Sequence, residues 1–191
     1  MAYDSKLKVD LDVFKDSVSI DMGVNYFLTP IYHLMVDNEA MLYAVNCNND
    51  NLKKYLPSVF ADNSENAKKI LLGFLGSTAY KRSLLLCIRQ KPQKFPIGYI
   101  NLNFPNAATG QDNWSVNFWL GPLMQNKGIM SVALSHALLY LQKYEVPEVE
   151  AVVDINNIDA IKVLQRVGFL PLEKGVIGGK ITCCVSLRKP S

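Results

Sequence analysis

The sequence predicts a mixed α/β domain of the α+β kind: a mostly antiparallel central sheet with one parallel crossover, flanked by helices. Three observations lead there. The apolar runs "LLLCIR", "PIGYINLNF" and "WSVNFWLG" succeed one another across Pro-, Gly- and Asn-rich connections, which is the pattern of an antiparallel meander. A helical stripe follows, with Met130, Ala133, Leu134, Ala137, Leu138 and Leu141 at i, i+3, i+4, i+7, i+8 and i+11. A strand, a second helix and a last strand then complete a strand–helix–strand–helix–strand order. Its first connection is expected to be a right-handed parallel crossover.

Each element has its own signal. Residues 1–17 are charged and turn-like without periodicity, and are read as a mobile N-terminal segment. "SVSID" (17–21) and "VNYFLTPIY" (24–32) alternate or run apolar, so both are expected strands. "DNEAMLYAVNCNNDNLKKYLP" (37–57) reads as helices broken at the Asn-rich middle and ending before Pro57. "NSENAKKILLGFLGSTAYKR" (63–82) opens on a cap at Asn63 or Ser64. It carries Ala67, Ile70, Leu71, Phe74 and Leu75 at helical spacing. The three meander strands come next, and then the helix of the stripe. "EVEAVVD" is a strand. "NNIDAIKVLQRVGF" is a helix with Ala160, Val163, Leu164 and Val167 inward and Gly168 as its left-handed cap. "ITCCVSL" is the final strand.

Composition bounds the function. The 191 residues suit one domain, 1–191, and the 49% apolar content is enough to bury a core. The net charge of +3 lacks the concentrated basic stripe that nucleic acid would call for. No apolar run approaches the ~18 residues that cross a bilayer, and the first residues carry no charged-then-apolar signal. The four cysteines have no zinc-like spacing, and Cys183 and Cys184 point to opposite faces of a strand. Buried thiols in a reducing compartment are expected. The reading is a soluble cytoplasmic protein with no metal, no membrane and no nucleic-acid partner.

The stretch "GPLMQNKGIMS" (121–131) lies where a strand ends and a helix begins. A helix opening at Lys127–Gly128 leaves its first amides without partners and adds partial positive charge there. Phosphate suits such an end, with Gly128 allowing close backbone approach, Lys127 adding charge, and Gln125 and Asn126 adding donors. A purely structural turn is the alternative. It is not a P-loop, because no GxxxxGK followed by Ser or Thr is present. "GVIGGK" lacks the spacing and setting of a dinucleotide fingerprint.

Several motifs in one order then carry a resemblance. "FWLGPLMQNKGIM", an amphipathic helix, a strand and "NNIDAIKVLQRVGF" resemble the GNAT acetyltransferase superfamily, and more narrowly its RimJ/RimL-type branch. "NNDNLKKYLP", "PIGYINL" and "VNFWLG" are similar to further segments of that branch, so the likeness spans residues 24–187. The resemblance implies a GNAT-like fold, acetyl-CoA as cosubstrate, and an amine acceptor such as a protein N-terminus or a small molecule. It implies a monomer or a homodimer. The loop signature falls on Gln125, Asn126, Lys127, Gly128, Ile129 and Met130, with Ser131 following. Phe118, Trp119 and Leu120 would offer backbone groups to the pantetheine arm, in a gap between splayed parallel strands. Their side chains either contact it or pack in the sheet. Asn157 would bond the same arm, cap a helix, or do both.

The acid and base depart from the branch's pattern. Ala160 stands where relatives carry a serine, Gly175 falls in a segment where they carry a glutamate, and Ser115 stands where many have a glutamate. Ser115 and Asn117, with Asn101 nearby, remain as candidates that could position water. His33 is a lesser candidate for contact with substrate, and His136 is read as a helix-face residue. An α-amine, with a pKa near ~8, is partly neutral at pH 7 and needs less help than a lysine near ~10.4. A catalytically silent acyl-CoA-binding protein is the alternative.

Overall fold

The computed structural model describes residues 19–31, 36–106 and 112–188. The expected mobile segment 1–17, His33 and the end of the second expected strand lie outside them. The elements run β1 (Ile20–Asp21), β2 (Tyr26–Pro30), α1 (Val36–Cys47), α2 (Asp50–Tyr55), α3 (Ser64–Ala79), β3 (Ser83–Gln90), β4 (Phe95–Asn103) and β5 (Trp114–Leu120). After them come α4 (Ile129–Lys143), β6 (Glu148–Asp154), α5 (Ile158–Arg166), β7 (Leu170–Ile177) and β8 (Lys180–Ser186). Short 3-10 turns sit at Pro57–Val59 and Pro122–Met124.

Side-chain caps place the helix starts. Asn49 accepts from the Leu52 amide at 2.9 Å, which separates α2 from α1 at the Asn-rich break. Asn63, of the two expected candidates, caps α3 through the Asn66 amide at 2.9 Å. Asn157 caps α5 through the Ala160 amide at 3.3 Å. Gly168 stands just past α5 at φ +91°, as the left-handed stop requires.

The eight strands form one sheet in the order β1-β2-β3-β4-β5-β6-β8-β7. Every neighbouring pair is antiparallel except β5–β6, joined through α4. The expected sheet class therefore stands, with two differences. The first strand shrinks to the pair Ile20–Asp21, held against Leu28 and Phe27. β7 is a strand that the sequence reading left out. It is an edge strand whose pairing with β8 is broken between Pro171 and Val176. Its Leu170, Val176 and Ile177 are exposed, so no inward alternation announces it.

Two cores cover the two faces. One joins the whole α4 stripe, from Met130 to Leu141, to Leu84, Leu86, Ile100, Leu102, Val116 and Val149, with Leu164 of α5. The other joins α1, α2 and α3 to Leu85, Cys87, Tyr99 and Trp119. Tyr99 and Trp119 stack with centroids 5.6 Å apart, and Trp119 Nε1 donates to Cys47 Sγ at 3.2 Å. Beneath α1 a buried ion pair links Arg89 to Glu39 at 2.6 Å. Arg89 also donates to Thr29 Oγ1 and to the Lys94 carbonyl.

Candidate active site

The parallel pair β5–β6 sets the site. Pairing is confined to Trp114↔Val149 and Ser115↔Glu150, although β5 runs on to Leu120 and β6 to Asp154. Beyond Ser115 the two strands part. A notch of about 50 Å³ opens between them, lined by Val116, Asn117, Phe118, Ala151, Val152 and Val153 and closed on its helical side by Ala160 and Leu164. It shares Tyr55, Leu56, Phe118, Asn157 and Ala160 with a larger groove of about 250 Å³.

The larger groove has three walls. The end of β5, the loop from Gln125 and the start of α4 form the first. Asn157, Asp159, Ala160, Lys162, Val163 and Arg166, at and along α5, form the second, and Asn49, Asn51, Leu52, Tyr55 and Leu56 of the α2 region form the third. Tyr55 reaches across, its hydroxyl donating to the Asn156 carbonyl at 3.2 Å. Two cations, Lys162 and Arg166, line the groove one helical turn apart, which favours an anionic ligand.

The loop is built as an anion cradle needs to be. Asn126 (φ +61°) and Gly128 (φ +74°) both adopt the left-handed conformation, and Gly128 is the α4 N-cap with no side-chain cap bond. The first intrahelical bond runs from the Val132 amide to the Gly128 carbonyl at 3.2 Å, so the amides before it are the helix's unclosed donors. A Cβ on Gly128 would meet no atom within 4 Å. Ser131 Oγ is buried at the groove wall without a hydrogen-bond partner. A diphosphate with acceptor oxygens fits this donor set.

The expected site residues are mostly brought together. Phe118, Trp119, Leu120, Gln125, Asn126, Gly128, Ile129, Met130, Ser131 and Asn157 all line the groove. Trp119 does so from a buried position, 5% exposed, because its indole belongs to the aromatic core. Gln125 turns inward as well, its amide donating to the Leu120 carbonyl at 3.0 Å and tying the loop to the strand end. Lys127 is exposed and stands outside the lining, between the two left-handed residues. Asn117 lines the notch, not the groove, and Ser115 lines neither; its Oγ accepts from Asn103 Nδ2 at 3.3 Å. His136 bonds the Val132 carbonyl at 2.9 Å, one turn back on α4.

Sequence reading missed the α2 wall and the α5 cations. The signal for the cations was available: Lys162 and Arg166 are spaced i, i+4, off the apolar stripe of α5. The α2 wall had none, because its approach to the groove is set by tertiary packing.

The chain belongs to the GNAT acetyltransferases: the family model described as an acetyltransferase (GNAT) domain matches residues 28–170. Solved structures share the fold. The ribosomal-protein-S5-alanine acetyltransferase from Vibrio fischeri matches with a TM-score of 0.70 and 19% identity, over 91% of this chain and 100% of that one. RimL, the ribosomal L7/L12 α-N-protein acetyltransferase in complex with coenzyme A, matches with a TM-score of 0.72 and 15% identity, over 88% and 98%. The microcin C7 self-immunity acetyltransferase MccE, in complex with acetyl-CoA and AMP, matches at 0.71 and 19%, over 92% and 99%. A sequence search of curated proteins finds no match. Among the described residues no helix is long and apolar enough to cross a membrane.

Proposed function

We propose that this chain, as one domain over 1–191, is an acetyl-CoA-dependent N-acetyltransferase acting on a primary amine. The acceptor is a protein N-terminal α-amine or a small-molecule amine. One observation carries the reading: the unclosed amides of α4 and the gap between β5 and β6 open into adjoining cavities. A diphosphate held at the first places a thioester arm along the second. Solved neighbours that hold coenzyme A or acetyl-CoA on this fold support it, and neighbours that act on ribosomal proteins support a protein amine.

In this reading Gly128, Ile129, Met130 and Ser131 bind the diphosphate through backbone amides and one hydroxyl. Lys162 and Arg166 add positive charge, and Asn157 turns its amide toward the arm. The β5 backbone from Phe118 to Leu120 orients the arm. Bringing the two reactants together supplies up to roughly 7–11 kcal/mol of the barrier reduction in ideal cases. Backbone N–H groups at the gap steady the oxyanion that forms on the acetyl carbonyl oxygen when the amine attacks.

Ala160 favours a second reading. It lines both cavities and offers no hydroxyl to a leaving thiolate, as expected for an acyl-CoA-binding protein without transferase activity. Thiol release separates the two. With acetyl-CoA and a panel of Ala- and Ser-starting peptides, polyamines and amino acids, the enzyme frees thiol in step with acetylated amine. Binding of acetyl-CoA with no release above the amine-free rate leaves the second reading.

A further inference from the structure

We propose that the Tyr55 hydroxyl is a latch over the gap between β5 and β6, which an acyl arm opens to enter and to leave; this rests on the acetyl-CoA reading above. The gap is a V. Its base is the pair Ser115↔Glu150, and its arms run to Leu120 and Asp154. The notch lies between the arms, and it meets the groove at Tyr55, Leu56, Phe118, Asn157 and Ala160. A ligand held at the α4 N-terminus reaches the notch through that joint.

A hydrogen bond crosses the open end of the V. Tyr55, the last residue of α2, donates through its hydroxyl to the Asn156 carbonyl at 3.2 Å. Asn156 follows directly on β6, which ends at Asp154, so it belongs to one arm. α2 belongs to the other. Its Leu52 shares a core with Trp119 of β5, and Trp119 Nε1 bonds Cys47 Sγ at the end of α1, just before α2. The Tyr55–Asn156 bond therefore ties β6 to the helices packed on β5, at the joint of the two cavities.

The two partners are held unequally. The turn that carries the Asn156 carbonyl is clamped. The Asn156 backbone and side-chain amides both donate to Asp154 Oδ1, at 2.8 and 3.1 Å. The Asn157 amide donates to the Asp154 carbonyl at 2.9 Å, and the Ile155 amide to the Gly179 carbonyl at 3.0 Å. α2 has six residues, and of these Leu52 alone is buried. Tyr55 itself is half-buried and its bond is exposed. Segments with few buried contacts open at the least cost. α2 therefore swings, the Asn156 carbonyl stays, and breaking one bond frees the joint. The latch closes both with and without the arm in place. Its loss speeds passage in both directions and leaves the affinity nearly unchanged, because an equilibrium shifts only with a difference between the two states.

Tyr55→Phe keeps the ring and removes the hydroxyl. The probes are acetyl-CoA and ADP, which carries a diphosphate without the arm. Stopped-flow tryptophan fluorescence, with Trp119 at the groove wall, reads entry and exit, and calorimetry reads Kd. The expected result is a rise of about 2–10-fold in kon and koff together for acetyl-CoA, the factor that one hydrogen bond of ordinary net strength sets. Kd for acetyl-CoA stays close to that of wild type. ADP, which does not pass the joint, keeps its wild-type rates. Unchanged acetyl-CoA rates in the variant overturn the latch, as does an equal rise for ADP. A rise in koff alone, with affinity lost, makes Tyr55 an ordinary contact and overturns it too. A wild type that does not bind acetyl-CoA overturns the acetyl-CoA reading, and the latch with it.

Discussion

Gly128→Glu separates a ligand cradle from a structural turn. At φ +74° a side chain is strained, and the left-handed conformation costs a non-glycine residue about 1–2 kcal/mol. The new Cβ meets no atom within 4 Å, so no packing clash adds to this. For a chain of this size the loss lowers Tm by about 2–8 °C, at 2–4 °C per kcal/mol. The fold should survive. Binding should not, because Gly128 lines the groove and a carboxylate there faces the diphosphate. One pair of like charges ~4 Å apart repels by about 4 kcal/mol at an effective dielectric of 20, and salt reduces this. A loss of about 10²–10³-fold in acetyl-CoA affinity follows. Gly128→Ala serves as the control: it carries the same backbone strain without the charge. Isothermal titration of wild type, Gly128→Ala and Gly128→Glu, each checked for folding by circular dichroism, reads the difference. A folded Gly128→Glu that binds acetyl-CoA with the wild-type Kd would refute the cradle.

Three further outcomes follow from the same geometry. Asn157→Ala loses the α5 cap and about 1 kcal/mol of stability, whereas Asn157→Asp keeps the cap; acetyl-CoA affinity falls in both if the side-chain amide holds the arm, as titration of the two variants checks. Arg89→Met strands Glu39 in the core and should cost about 3–5 kcal/mol in urea unfolding, while Arg89→Met with Glu39→Leu should recover most of it. Burial pushes the Cys47 thiol from its usual 9 up to about 12, against the lowering effect of its bond from Trp119. The folded state therefore holds that proton after the unfolded state has lost it, so stability is full below pH ~9 and declines as pH rises toward 12. Urea melts from pH 8 to 11 test this: Cys47→Ala should lessen the decline, and Cys87, whose thiol burial also pushes up, accounts for part of what is left.

Some of this was legible in the sequence because one physical signal decided it. The α4 stripe is buried residue for residue, from Met130 to Leu141, since helical periodicity and core facing are the same fact there. The caps at Asn63 and Asn157 and the stop at Gly168 follow from local backbone chemistry alone. The loop at the start of α4 was legible for a similar reason: a strand end, a glycine and a helix start are adjacent in the chain. β7 was missed because an exposed edge strand with an irregular register has no alternation to find. Its turn did carry a sign. Gly178 and Gly179, at φ +57° and +75°, make a two-residue hairpin loop between "VI" and "KITCCV". The gap between β5 and β6 could not be found from the chain alone, because no local pattern encodes the residue at which the two strands cease to pair.

The central claim is that the groove at the α4 N-terminus takes acetyl-CoA. Thermal unfolding of the wild type with acetyl-CoA, against adenosine as control, tests it most directly. At a hundredfold excess over Kd, binding adds about 2.7 kcal/mol, which at 2–4 °C per kcal/mol is a rise of roughly 5–11 °C in Tm. That rise with acetyl-CoA, and none with adenosine, is the predicted result. An unchanged Tm at millimolar acetyl-CoA would contradict the claim and leave "QNKGIM" a turn that binds nothing.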